Sequence, residues 1–142
     1  MGIVVLYPFV ISATAASVVG FSFHVVTMER IQSWISAQMS GKKILASRNV
    51  LVPAAVTSLE MGIGLVILYT LVRNHLPFEN AILRGVVLGL LILSVGGKLF
   101  RQPLMNWLVG TPIKVVLIQG GITWLNWILM SVTTALIYEA LL

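Results

Sequence analysis

Between Ile3 and Thr27 no side chain carries a formal charge, and three further apolar runs follow at 50–72, 78–100 and 113–138. A helix that crosses a bilayer needs ~20 predominantly apolar residues. In lipid the backbone must satisfy its own hydrogen bonds, so runs of this kind are read as helices. The sequence therefore predicts an all-α integral membrane protein: four transmembrane helices in an up-down bundle with short loops. The expected spans are about 3–27, 50–72, 78–100 and 113–138, in one domain over residues 1–142.

Composition supports lipid as the solvent. Hydrophobic residues make up 58% of the chain and charged residues 9%, against roughly 25% charged in a soluble domain. The net charge of +5 is assigned to loops and anionic headgroups rather than to nucleic acid. Cysteine is absent, which excludes disulfides, thiol catalysis and thiolate metal sites. The apolar run continues past Ala13, Ala15 and Ala16 and lacks a basic leader, so segment one is read as a retained span.

The connections are short. Glu29–Asn49 is polar and basic, with Ile31, Trp34, Ile35 and Gln38 at helical spacing. It is expected to hold a short interfacial helix with Trp34 at headgroup level, broken by Ser40 and Gly41. Pro53 is expected in the first turn of segment two, where proline costs least. Segment three is the shortest: only 13 uncharged residues, ~20 Å of helix, separate Arg84 from Lys98. It spans if those two side chains snorkel to opposite surfaces. Residues 101–112 are read as a loop, with Thr111 capping segment four and Pro112 at its first helical position.

Orientation follows from lysine and arginine. Arg30, Lys42, Lys43, Arg48, Lys98, Arg101 and Lys114 fall on one side, and Arg73 and Arg84 on the other. The excess places loops 29–49 and 101–112 in the cytoplasm and both termini outside. A plasma (inner) membrane location is expected.

Glu60 is the only acid near the middle of a span. It lies about 11 residues beyond Asn49, ~16 Å into the membrane. A carboxylate at that depth needs a partner or a function. Asn126 and Ser17 fall at similar depth, and Gln119, Thr123 and Asn126 share one helical stripe. These five residues form the candidate intramembrane polar site. Lys98 and His24 are the candidate charge partners. Small residues recur at four-residue spacing, and mark helix packing: Ala16 and Gly20 in segment one, Ser58 and Gly62 in segment two, Gly85 and Gly89 in segment three.

No nucleotide, hydrolase or metalloprotease motif is present, and no catalytic residue, cofactor or metal site is expected. His24 and His75 are placed on opposite sides of the membrane, which argues against a shared metal. Two functions remain. The first is a helix-bundle subunit or accessory protein that binds partners in the membrane, either other subunits or further copies of itself. The second is an oligomeric proton- or cation-coupled transporter or channel that uses Glu60. In pairing four spans with one membrane glutamate, the outline resembles small multidrug transporters. Here, however, the glutamate lies in segment two, the basic loop is long and no stretch of sequence matches them.

Overall fold

The computed structural model describes residues 2–38 and 47–142. All regular structure among them is helical: α1 (Gly2–Gln38), α2 (Ser47–Val72), a 3₁₀ turn (Arg73–His75), α3 (Ala81–Val95), α4 (Arg101–Leu108) and α5 (Ile113–Ala140). Three helices are long and apolar enough to cross a membrane, over Leu6–Thr27, Leu51–His75 and Ile113–Ala140; α3 is a shorter apolar helix.

The boundaries correct the sequence reading in five places. The expected interfacial helix after Glu29 is the continuation of α1, which runs unbroken for 37 residues, about 55 Å. The predicted break at Ser40 and Gly41 lies outside the described residues. Helix α2 begins at Ser47, so Pro53 stands beyond its first turn. Helix α3 has 15 residues, so segment three is shorter than 78–100. The stretch 101–112 contains α4, where a loop was expected. Finally, Pro112 rather than Thr111 occupies the cap of α5, with no side-chain cap bond.

Two of these corrections share a cause. After α3 the Gly97 N–H donates to Ser94 O and the Lys98 N–H to Leu93 O, with Gly97 at φ 66°. After α4 the Gly110 N–H donates to Trp107 O and the Thr111 N–H to Asn106 O, with Gly110 at φ 92°. Both are Schellman endings, which place glycine where a Cβ would be strained. The first stops α3 before Lys98. The second separates α4 from α5. At its other end α3 is capped by Asn80, whose side chain accepts from Ile82 N at 2.8 Å and Leu83 N at 3.3 Å.

Helix α1 packs extensively on α2 and α5, and α5 on α3, whereas α2 and α3 share no extensive contact. The small residues explain the close seams. A Cβ on Gly62 would meet Ser17 Oγ and stand 2.7 Å from Ala13 O. One on Gly85 would stand 2.5 Å from Val132 Cα and 2.9 Å from Ser131 O. One on Gly89 would stand 3.2 Å from Ile128 Cα, and the Met130 side chain fills the space beside Gly20. Ala16 and Ser58 are buried. Ala16, Leu65, Val66, Tyr69, Leu88, Met130 and Tyr138 contribute to the core that these approaches enclose.

Candidate functional site

The packing of α2 fixes where Glu60 points. Ala54, Ser58, Gly62 and Val66 form the buried stripe of this helix. Glu60 stands two residues from both Ser58 and Gly62, about 200° around the helix from each. It therefore faces away from α1 and is exposed. With Thr57, Gly64 and Leu68 of α2 it borders a groove of about 440 Å³, whose other walls include Ile92 of α3, Trp127 of α5 and Lys98. The groove occupies the seam that α2 and α3 leave open.

Glu60 makes no hydrogen bond or ion pair among the described residues. Lys98 shares its groove, but the Lys98 ammonium rests over the Trp127 ring, 5.0 Å from the centroid. The backbone of Lys98 is anchored separately, through Trp124 Nε1 donating to Lys98 O at 3.0 Å. A carboxylate and an ammonium thus border one groove without forming a direct pair.

The other predicted polar residues occupy different places. Ser17 lies at the α1–α2 seam beside Gly62, and its hydroxyl donates to Ala13 O at 2.7 Å. Gln119 and Thr123 line a second cavity of about 310 Å³, together with His24, Lys98, Gln102 and Asn106. Thr123 donates its proton to Gln119 O at 2.9 Å. Asn126 lines neither cavity, and its Oδ1 is buried without a partner among the described residues. Trp127, one position further along α5, takes the place beside Glu60 that the sequence reading gave to Asn126. One residue turns a helix by about 100°, enough to exchange an amide for an indole. The structure brings Glu60 together with Lys98, and His24 together with Gln119, Thr123 and Lys98. It does not bring Ser17 or Asn126 to Glu60.

A polar cluster that the sequence reading missed lies at the opposite end. Glu139 Oε1 accepts from Tyr69 OH at 2.7 Å and from an Arg84 nitrogen at 3.0 Å. Arg73 stands 3.6 Å from the other carboxylate oxygen. The Arg73 guanidinium also lies over the Tyr138 ring, 5.6 Å from its centroid, and Tyr138 meets Tyr69 edge-on at 5.7 Å. Residues from α2, the 3₁₀ turn, α3 and α5 are thereby tied at one point. Part of the signal was present: the lysine and arginine count had already placed Arg73 and Arg84 on one side. Each ionised side chain here stands against one of opposite charge, so the cluster acts as a clamp, although Arg73 Nε is buried without a hydrogen bond among the described residues.

Among the described residues, no three His or Glu side chains gather as a metal-binding set. Compared with family models, with curated proteins and with solved structures, the chain matches none of them.

Proposed function

We propose that this chain is a helix-bundle subunit or accessory protein of a membrane, and that it binds a further membrane-embedded helix in the groove between α2 and α3. The observation that carries this reading is Glu60: a mid-span carboxylate, exposed in an open groove, with no partner among the described residues. Charge at such depth is costly in lipid and marks a functional contact by default. A partner offering a hydroxyl, amide or cation at that level relieves the cost. The chain forms one domain with α3 as its fourth span. At 15 residues, about 22 Å, α3 relies on the flanking turns and on Arg84 and Lys98 reaching opposite surfaces. The lysine and arginine excess puts the α1–α2 and α3–α5 connections in the cytoplasm of a plasma (inner) membrane, with both termini outside. The partner is another membrane subunit or a second copy.

A specific observation favours the transporter reading as the alternative. Lys98 borders both cavities, so His24, Gln119 and Thr123 adjoin the groove of Glu60 through one side chain. A proton- or cation-coupled site needs such a polar approach to a membrane carboxylate.

One pair of variants separates the readings. A photoreactive residue placed at Leu68, in the groove, crosslinks to a membrane partner, whereas one at Val10, exposed on α1, does not. Glu60→Leu abolishes the Leu68 crosslink and leaves the isolated chain folded. Under the partner reading Glu60→Gln keeps the crosslink, because the amide still hydrogen-bonds. Under the transporter reading Glu60→Gln abolishes acid-driven uptake in vesicles. A Leu68 crosslink that survives Glu60→Leu would rule out the partner reading.

A further inference from the structure

We propose that the cavity at the basic end of the bundle binds an anion through phosphate-type oxygens, supplied by a phospholipid headgroup or by a soluble phosphate. This site and the groove of Glu60 share one wall residue, Lys98, and are otherwise lined by different side chains. It lies between the cytoplasm-side extension of α1, the turn after α3, the short helix α4 and the start of α5.

The lining carries the argument. Lys98 supplies a cation, and Gln102, Asn106 and Gln119 supply amides, while no carboxylate among the described residues borders the cavity. The two hydroxyls present are already committed as donors: Thr27 to Phe23 O at 2.8 Å and Thr123 to Gln119 O at 2.9 Å. The donors left for a ligand are therefore the ammonium and the amides, a set that suits an anion rather than a cation. His24 adds a second sign. Its Nε2 is buried and has no partner among the described residues, and an unpaired buried nitrogen calls for one. The four-carbon stem of Lys98 lets its ammonium serve either side of the wall it forms.

Position explains where the anion comes from. Asn106 points inward as α4 lies on α5, while Leu104, Met105, Trp107 and Leu108 of the same helix are exposed. An exposed apolar face carrying a tryptophan suits the headgroup layer. Arg101 begins this short helix and Lys114 follows it in the first turn of α5, so the sequence around the cavity is basic. A cavity of about 310 Å³ is at the small end of ligand sites. It suits a headgroup and excludes a large cofactor.

The test uses the full chain in neutral detergent, with thermal unfolding followed by tryptophan fluorescence. Phosphatidylglycerol is expected to raise the midpoint saturably, and phosphatidylcholine is not. Lys98→Gln and Asn106→Ala are each expected to weaken the phosphatidylglycerol effect about tenfold, the consequence of losing one hydrogen bond to a charged group. Asn106 lies outside the α1–α2, α1–α5 and α3–α5 seams, so its variant stays informative if Lys98→Gln fails to fold. A saturable shift with inorganic phosphate alone assigns the site to a soluble anion; a shift with the lipid alone assigns it to a headgroup. The proposal is overturned if neither phosphatidylglycerol nor phosphate shifts the wild type. It is equally overturned if phosphatidylglycerol acts as strongly on Asn106→Ala as on the wild type. A protein that binds the anion but loses no partner contact in Asn106→Ala leaves the reading of Glu60 untouched.

Discussion

At one end of the bundle a single carboxylate, Glu139, receives a phenol and a guanidinium at hydrogen-bond distance, with a second guanidinium close by. Half-way along the same α2 that supplies Tyr69, Glu60 has no such company among the described residues. Both are glutamates near an aromatic ring and a base. The difference lies in which helices close around them. Tyr69 is buried where α2 meets α5 and where α3 begins, so its hydroxyl, Arg84 and Glu139 converge. Glu60 faces the seam that α2 and α3 leave open. A paired charge fastens what is already in contact, whereas an unpaired one in an open seam is available to something else.

The contrast can be broken most severely at the close seams. Gly85→Val is expected to abolish α3–α5 packing. Its Cβ would enter the backbone of Val132, which cannot yield as a side chain does, so the cost exceeds the ~1–3 kcal/mol of ordinary overpacking. Purification should give aggregated or protease-sensitive protein; a monodisperse, wild-type-like melt would show that α3 is not held there. Next, Glu139→Leu leaves two guanidiniums facing each other without their carboxylate, and thermal unfolding in detergent should show a clear loss. If it melts like wild type, the clamp is decorative. Tyr69→Phe removes one charge-assisted bond and leaves the ring contacts, so a loss of about 1.5–3 kcal/mol is expected in reversible denaturation. The smallest effect is at Gly64, in the open groove, where an added Cβ meets nothing within 4 Å. Gly64→Ala should leave stability unchanged or raise it by up to about 1 kcal/mol through helix propensity. A large loss there would mean that α2 and α3 close the groove.

Much of the fold was legible because its signals are local. Apolar runs gave the three helices long enough to cross a membrane and a shorter fourth, and the small residues of segments one to three fall at the seams where helices approach most closely. The early end of α3 is also local: Gly97 stands before Lys98 and provides the positive φ that a Schellman ending needs. The same holds for Gly110, which turns part of an expected loop into α4. The polar site was less legible. Depth along each helix was reckoned from residue counts, but rotation about the helix axis was not available from them. Ser17 and Glu60 lie at matching computed depths, yet Ser17 faces the α1–α2 seam and Glu60 faces away from it.

The sequence by itself determined the helical class and the approximate positions of the apolar helices, because hydropathy and hydrogen-bond closure act on each segment separately. It also determined that Glu60 would be a charge without a neighbour in its own helix. Only the tertiary structure decided what surrounds that charge. The seating of Ser58 and Gly62 against α1 sets the rotation of α2, and that contact is made with a segment some 45 residues away. Once it is made, Glu60 is turned to the open seam with Lys98 and Trp127, and no property of residues 50–72 alone could have fixed that direction.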